Sequence, residues 1–424
     1  MVETDSRRVL VLNHFAVPRG QAGGTRHMEL FTRLEGWQFL IVAGALNPLT
    51  GETQPAEPGF LPVRVSPYRS NGWRRVLNWI SYSASAFLRS VTERRIDLVY
   101  ASSPHLLAAL AGWGVAVVRR VPFVFEVRDL WPRVLVDMGQ LSERSQIYRT
   151  LQLLEVFLYK RADAIIVMAE GSRDVIVKHG ISAERVFYVP NGADSEDFEP
   201  SAARETLRAR YGFRRFTAVY AGAHGPANGL ELVLEAAAEV AALNIDIVLV
   251  GGGVAKSGLV AKADSMGLEN VRFLDPIPKA EIPDLLHASD IGLHILADVE
   301  LFRYGVSPNK MFDYMAAGLP VLTNCPGLVS ELVVESRCGL AVAPNQIGVG
   351  LQRMIGMRES STLSEMGATG RRWIDEHQSR SAMAKRLGVI LAMVAGDDDH
   401  SMNSTDRSKN PHGSARSFGG SQHT

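Results

Sequence analysis

Along the first half of the chain, short β-branched and aliphatic runs alternate with amphipathic or Ala/Leu-rich stretches. That alternation predicts a parallel sheet wrapped by helices. Strands are expected at Val9–Leu12, Phe39–Val42, Leu98–Ala101, Phe123–Val127, Ala164–Met168 and Val186–Val189. A helix is expected over Arg26–Leu34. The stretch from Leu106 to Val118 reads as a buried helix, because Gly112 and Gly114 interrupt it and it is too short to span a membrane. Pro190-Asn191-Gly192-Ala193-Asp194 then breaks the pattern with turn chemistry and marks a linker. The second half repeats the logic, with strands expected at Thr217–Ala221, Ile245–Val250, Val271–Leu274, Ile291–Ile295, Val321–Thr323 and Leu340–Val342. A helix with one apolar face is expected at Leu230–Leu243. The fold class is therefore α/β: two Rossmann-like domains, 1–195 and 196–395, with parallel sheets facing a central cleft where such sheets bind ligands. The segment 396–424 is nearly devoid of apolar residues and is expected to be disordered.

A second periodicity concerns the surface. Trp73, Val76, Leu77, Ile80, Ala84, Phe87 and Val91 recur at helical spacing. Most of this stripe is expected to pack on the sheet, while its Arg69–Trp79 end is a candidate for contact with a membrane surface.

At 424 residues the chain exceeds one ordinary hydrophobic core, which supports the two-domain reading. Lys plus Arg and Asp plus Glu are equal at 45 each, which excludes a general nucleic-acid binder. The cysteines, Cys325 and Cys338, sit in apolar stretches without metal-ligand spacing and suit a reducing compartment. The residues Met1 to Arg8 have no signal-peptide pattern, so a cytoplasmic protein is expected, at most peripheral on the inner face of the membrane.

Glycine-rich turns follow three strands. Gly20-Gln21-Ala22-Gly23-Gly24-Thr25 opens the helix at Arg26, and Gly222-Ala223-His224-Gly225-Pro226-Ala227-Asn228-Gly229 follows Ala221. Gly251-Gly252-Gly253 ends the strand at Ile245–Val250. Glycines at helix starts let backbone N–H groups approach a phosphate or a sugar, although each turn also reads as an ordinary βα connection. The segment Ser307-Pro308-Asn309-Lys310-Met311-Phe312-Asp313 reads as a helix start. Lys310 and Asp313 share one helix face, as a diphosphate and ribose site or as a surface ion pair. Isolated histidines such as His27, His105 and His294 are read as packed or exposed rather than catalytic.

Four passages resemble the retaining glycosyltransferases of family four, with the architecture called GT-B: the Gly23-Gly24 loop, Phe125-Glu126-Val127-Arg128-Asp129-Leu130-Trp131-Pro132, Val189-Pro190-Asn191-Gly192-Ala193-Asp194, and Ser307 to Val321. The sequence looks closest to bacterial enzymes of surface-polysaccharide assembly, such as the N-acetylfucosaminyl transferases of O-antigen and capsule pathways. The resemblance implies a UDP-sugar donor, a lipid-linked or glycan acceptor, retention at the anomeric carbon, and neither metal nor other cofactor. It places Gly23, Gly24, Gly222, His224, Asn228, Ile277, Ser307, Pro308, Lys310 and Asp313 at the donor, with Asp313 on the nucleotide ribose. The family's other acid falls on Gly305, and its phosphate-binding Arg and Lys fall on Ala223 and Asn228, which leaves the diphosphate to Lys310 with His224 or Arg303. The family's catalytic His-Asp pair reads Arg128-Asp129 here. Arg128 cannot serve as a base near neutral pH, so it clamps phosphate, orients Asp129, or forms a structural pair with it. Two other classes remain open: a UDP-sugar 2-epimerase of the same architecture, and a non-catalytic nucleotide-sugar-binding partner.

Overall fold

The computed structural model describes residues 6–396, apart from 22, 49, 69–71, 138, 300–301, 303–306 and 308. Among these, the first sheet runs β1 (Arg7–Leu12), β2 (Trp37–Gly44), β3 (Phe60–Val63), β4 (Leu98–Ser102), β5 (Phe123–Val127), β6 (Ala164–Val167) and β7 (Val186–Tyr188). Its spatial order is β3-β2-β1-β4-β5-β6-β7. The second sheet holds β8 (Phe216–Ala221), β9 (Ile245–Val250), β10 (Val271–Leu274), β11 (Ile291–His294), β12 (Val321–Thr323) and β13 (Gly339–Ala341), in the order β10-β9-β8-β11-β12-β13. All strand pairs are parallel. Each order reverses once, at β1/β4 and at β8/β11, and such a reversal opens a crevice at the carboxyl ends of the strands.

The expected strands are all present, with small shifts at their ends. Strand β3 was not expected: Phe60-Leu61-Pro62-Val63 carries a proline, which a sheet tolerates only at an edge, and β3 is the edge strand. Two helices are shorter than the apolar pattern implies. Helix α1 (Arg26–Phe31) gives way to tight turns, with Arg33 N–H bonding Leu30 O and Leu34 N–H bonding Phe31 O. The helix at Leu230–Glu239 stops before Leu243 because the chain must turn into β9.

The apolar stripe of α2 (Trp73–Val91) requires a larger correction. Trp73, Val76, Leu77, Ile80 and Leu88 are exposed, and the helix buries Asn78, Tyr82, Ala86 and Ser90 instead. This works because the polar groups on the buried face find partners. Asn78 Nδ2 donates to Ser66 O at 2.6 Å and the Tyr82 hydroxyl to Val42 O at 2.7 Å, while Ala86 and Ser90 leave room for close approach. Only Phe87 and Val91 turn inward, where α3 (Leu106–Arg119) crosses. Helix α3 is buried as expected except at Val117 and Val118, which are exposed.

Each sheet is covered on both faces by apolar clusters. On one face of the first sheet, Val9, Val11, Phe31, Ile41 and Tyr100 pack against Met383, Leu387, Ile390 and Leu391 of α15 (Arg380–Val394). The last described helix thus returns from the second domain to complete the core of the first. Both cysteines are free and buried. The expectation for 396–424 lies outside the described residues, save Gly396 itself.

Candidate active site

The carboxyl end of β8 and the start of α11 (Asn309–Ala316) meet at the second sheet's reversal point. The Tyr314 ring lies on β11 where Gly292 has no side chain; a Cβ there would sit 2.5 Å from the ring. Its hydroxyl accepts the Ala221 N–H at 3.0 Å. So pinned, α11 projects Lys310 over Gly222, where a Cβ would fall 2.8 Å from the lysine Cδ. Lys310 Nζ donates to Asn228 Oδ1 at 3.1 Å and lies 5.0 Å from the centre of the Tyr220 ring. Burial brings its pKa down to about 8, with Asp313 opposing the shift.

The Gly251–Gly253 turn folds onto this one. Gly222 N–H bonds Val250 O at 2.9 Å and His224 N–H bonds Gly252 O at 2.8 Å. A Cβ at Gly251 would lie 1.9 Å from Gly222 O, and one at Gly253 2.5 Å from His224 O. Only glycine at both positions allows the turns to interleave. Within them His224 is fully buried, and neither ring nitrogen has a hydrogen-bond partner. Burial, followed by Lys256 and Lys310, lowers its pKa, so the ring is neutral and can donate one hydrogen bond and accept one. It is no substitute for a cation. Ile277, beyond β10, is half-buried against the core of this domain.

Asp313 is half-buried and its carboxylate makes no hydrogen bond among the described residues. Burial pushes its pKa up to about 6, against the pull of Arg380, Lys279 and Lys310. The surface ion pair expected as an alternative is not formed: Lys310 is spent on Asn228, and Asp313 faces Arg380 and Lys279, which both reach Glu29 of the first domain. Lys279 Nζ reaches Glu29 Oε1 at 2.7 Å and Thr25 Oγ1 at 3.2 Å on α1, and Arg380 Nε lies 2.6 Å from Glu29 Oε2. Ser307 also ties the domains together. Its hydroxyl accepts the Asn191 N–H at 2.8 Å, and its carbonyl accepts Asn191 Nδ2 at 3.0 Å. Arg26 in turn donates to Asn191 Oδ1 at 3.0 Å. The Gly23-Gly24 turn, which precedes Thr25 and Arg26, therefore lies across the cleft from the start of α11. Gly23 has φ +138, and a Cβ there would press on Val17 at 2.9 Å. Pro308, Gly305 and Arg303 lie outside the described residues.

On the first-domain side, Arg128 and Asp129 follow β5. Neither side chain is hydrogen-bonded among the described residues; the Arg128 backbone N–H donates to Ser103 Oγ at 3.2 Å. The structural Arg–Asp pair offered as an alternative is thus not formed. Asp129 is open to solvent yet ringed by protein, which pushes its carboxyl pKa up while Arg128 opposes.

Several contributors were not singled out from the sequence. Glu126, fully buried in β5, accepts hydrogen bonds from the Tyr100 hydroxyl and from His27 Nε2 at 2.8 Å, and pairs with Arg26 Nε at 3.3 Å. His27 and Arg26 hold its carboxyl well below the usual carboxylate range in spite of burial. Asn13 Nδ2 meets His27 Nδ1 at 2.7 Å while Asn13 Oδ1 accepts the Phe15 N–H. That network assigns His27 a proton on Nε2. The signal was an acid within the otherwise apolar Phe-Val-Phe-Glu-Val. Beside it, His14 Nδ1 and His105 Nε2 lie 2.8 Å apart, with the His105 Nδ1 accepting the Ala108 N–H. Burial, with Arg75 nearby, holds the His14 pKa at about 3. His294 is bonded to Thr323 Oγ1 at 2.9 Å, so His27, His105 and His294 are all packed residues. Among the described residues no group of three His, Cys, Asp or Glu side chains could hold a metal ion, and no helix is long and apolar enough to cross a membrane.

In sequence and in overall fold the chain is similar to known glycosyltransferases. The family model described as "Glycosyl transferase 4-like domain" matches residues 22–192, and "Glycosyl transferases group 1" matches residues 215–355. The chain is 26% identical over 357 residues to "Probable glycosyltransferase WbjE" of Pseudomonas aeruginosa, covering 81% of this chain and 88% of the relative. It is 25% identical to a D-inositol 3-phosphate glycosyltransferase of Corynebacterium aurimucosum, covering 76% of this chain and 80% of that one. With WcaI of Escherichia coli K12, assigned to colanic acid biosynthesis, the identity is 23% over 59% of this chain and 63% of WcaI. In fold it is similar to sucrose-phosphate synthase of Thermosynechococcus elongatus, at a TM-score of 0.72 and 17% identity over 92% of this chain and 99% of that one. Anabaena HepE in complex with UDP-glucose gives a TM-score of 0.68 at 17% identity, over 91% and 99% of the two chains. Neither domain match supports an epimerase. Carrying both domains in order on two parallel sheets that meet at a cleft, the chain belongs to the GT-B glycosyltransferases that join a glycosyl transferase 4-like domain to a group 1 domain.

Proposed function

We propose that the chain is a retaining transferase that moves a sugar, an N-acetylated hexose or deoxyhexose, from a UDP-sugar to a lipid-linked or glycan acceptor in surface-polysaccharide assembly. One observation carries this reading. A half-buried lysine, interleaved glycine turns and a histidine with two unpartnered ring nitrogens converge at the β8 end, one helical turn from an unbonded carboxylate. Lys310 supplies the charge for the diphosphate, the backbone of Gly222 admits its close approach, and His224 donates a hydrogen bond to it. Asp313 accepts the two ribose hydroxyls. Gly23, Gly24 and the neighbouring Thr25 close the pocket from the first domain, and Arg128 and Asp129 face the acceptor.

In the reaction, the acceptor hydroxyl attacks the anomeric carbon on the face from which the diphosphate leaves. The new C–O bond forms as the bond to the diphosphate breaks, and a diphosphate oxygen takes the hydroxyl proton. No metal enters this scheme. Lys310 stabilises the departing charge, and domain closure across Lys279 and Glu29 positions the reactants. The UDP-glucose held by HepE and the pathway of WcaI support the donor and the product class. The protein would act on the cytoplasmic face of the membrane, touching it through the Arg69–Trp79 end of α2, of which 69–71 lie outside the described residues.

The test is UDP release from a panel of UDP-, GDP- and TDP-sugars, with a membrane extract as acceptor. Turnover with a UDP-sugar should fall at least about tenfold in Lys310→Ala and in Asp313→Ala, the loss of one charged contact. Unchanged turnover in both variants removes this site from the account.

A further inference from the structure

Arg26 opens α1 directly after the Gly23-Gly24 turn and Thr25, and its side chain, only 9% exposed, is spread over four acceptors. Nε donates to Glu126 Oε1 at 3.3 Å. Nη1 donates to Pro190 O at 2.7 Å and to Asn191 Oδ1 at 3.0 Å, and Nη2 to Val189 O at 2.7 Å. We propose that Arg26 and Asn191 are positioning residues for sugar transfer. They join the start of the donor helix α11 to strand β5, and so set the Arg128–Asp129 segment when a nucleotide diphosphate occupies the Lys310 site. Their role rests on the transferase reading, to which it adds how the two halves of the site come into register.

The path between the halves is continuous. Asn191 gives its backbone N–H to Ser307 Oγ at 2.8 Å and its side-chain amide to Ser307 O at 3.0 Å, while its Oδ1 takes the hydrogen bond from Arg26. These partners fix the amide: exchanging its N and O would set donor against donor at Arg26 and acceptor against acceptor at the Ser307 carbonyl. Ser307 stands three residues before Lys310, and Glu126 two before Arg128. Two side chains therefore span the distance from the donor helix to the strand that carries the acceptor-side pair.

The choice of arginine points the same way. Glu126 is already bonded by the Tyr100 hydroxyl and by His27 Nε2 at 2.8 Å. Arg26 gives it one long hydrogen bond and aims the other three at oxygens of residues 189–191, where the chain leaves the first domain. A lysine would neutralise Glu126 as well, but only a planar fork of fixed donors holds three linker oxygens at once. The residue type thus answers to the linker rather than to the acid.

The joint is also stiff. Asn191 is 5% exposed. Another contact across the domain boundary, Lys279 to Glu29, ends on a half-exposed lysine, where solvent screens the pair and the side chain can swing. Buried hydrogen bonds of fixed geometry carry a displacement with less slack. A diphosphate at Lys310 competes with Asn228 for the ammonium and shifts the first turn of α11; Ser307, Asn191 and Arg26 pass that shift to β5. A small shift suffices, since a misplacement of about 1 Å at reacting groups can cost about 100-fold in rate.

The test uses the full chain labelled with fluorotryptophan, with UDP as the probe. Trp131, buried three residues after Arg128, is the reporter, its resonance assigned by its loss in Trp131→Phe. UDP should shift this resonance in the wild type. Asn191→Asp keeps the oxygen that faces Arg26 but replaces the amide donor that faces Ser307. It should bind UDP within about threefold of the wild-type Kd and leave Trp131 unmoved. With a UDP-sugar and membrane extract, kcat should fall at least about tenfold in Asn191→Asp and in Arg26→Lys, with donor KM little changed. The double variant should be no slower than the slower single one, because both cut one path. A Trp131 shift that persists in Asn191→Asp, wild-type UDP binding without any shift, losses that multiply in the double variant, or a loss confined to KM would each overturn the proposal. If Arg26→Lys does not fold, Asn191→Asp and Ser307→Ala decide it on the same readings. Unchanged turnover in both single variants defeats the positioning role alone. The expected Trp131 behaviour without turnover of any UDP-sugar defeats the transferase reading alone, and a wild type that binds no UDP defeats both.

Discussion

Replacing Lys310 by methionine should make the protein more stable and its nucleotide binding weaker. In the ligand-free chain the Lys310 ammonium sits between Tyr220 and Asn228, and burial brings its pKa from 10.5 down to about 8. At roughly 1.4 kcal/mol per pKa unit, keeping that charge costs the folded state about 3 kcal/mol at pH 7. Methionine preserves the apolar stem over Gly222 but gives up the Asn228 hydrogen bond, worth about 1 kcal/mol. The net gain is about 2 kcal/mol, or roughly 4–8 °C in the melting temperature of a domain of this size. The sign of the pH dependence follows. The folded pKa lies below the unfolded one, so between pH 8 and 10.5 the unfolded chain binds the extra proton and wild-type stability rises with pH. The advantage of the variant should therefore shrink across that window. Removing the cation should at the same time weaken UDP binding by about 2–3 kcal/mol, roughly 30- to 150-fold in Kd. Calorimetric melting from pH 7 to 10 and titration calorimetry with UDP read the two effects. An unchanged or lower melting temperature at pH 7, together with an unchanged Kd, would refute the argument.

Three further outcomes are expected. Glu126→Ala leaves the buried Arg26 and His27 without their shared acceptor and should cost about 3–5 kcal/mol in urea unfolding, with Glu126→Gln costing less; a loss below about 1 kcal/mol contradicts a buried charge network. Because the Asp313 carboxyl titrates at about 6, UDP affinity should fall as pH drops through 6, with a separate decline above pH 8 as Lys310 gives up its proton; in Asp313→Asn only the acid limb should disappear, and a persisting drop near pH 6 would assign that titration elsewhere. Glu155 is buried, accepts the Tyr159 hydroxyl at 2.7 Å and has its pKa raised from 4.5 to about 8. The folded chain therefore retains a proton that the unfolded chain releases between those values, and stability falls across that window. Glu155→Gln should be neutral in thermal melts near pH 5 and stabilising near pH 8.5, and equal effects at the two pH values would count against it.

Most of the parallel strands were legible because they are apolar runs buried on both faces, so periodicity had little to compete with. Strand β3 was not, since Pro62 signals a break and only its edge position permits it. The apolar stripe of α2 showed amphipathicity but not which face docks. That depended on Ser66 and Val42 O accepting hydrogen bonds from Asn78 and Tyr82, contacts invisible in a helical wheel. At the site, Lys310, Asp313 and the glycine turns could be located because their chemistry is local. The Glu126–His27–Arg26 cluster and the Lys279–Glu29 bridge join residues far apart in sequence, and only the folded chain brings them together.

The return of α15 to the first sheet has a consequence for synthesis. As the leading half of the polypeptide emerges from the ribosome, one side of its sheet has only α1 over it, because Met383, Leu387 and Leu391 have yet to be made. About 190 further residues must be translated first, which at ribosomal speeds takes about 10–40 s. For that interval Val9, Val11, Phe31 and Tyr100 remain only partly covered, and nascent-chain chaperones would be the natural occupants of the surface that α15 finally claims.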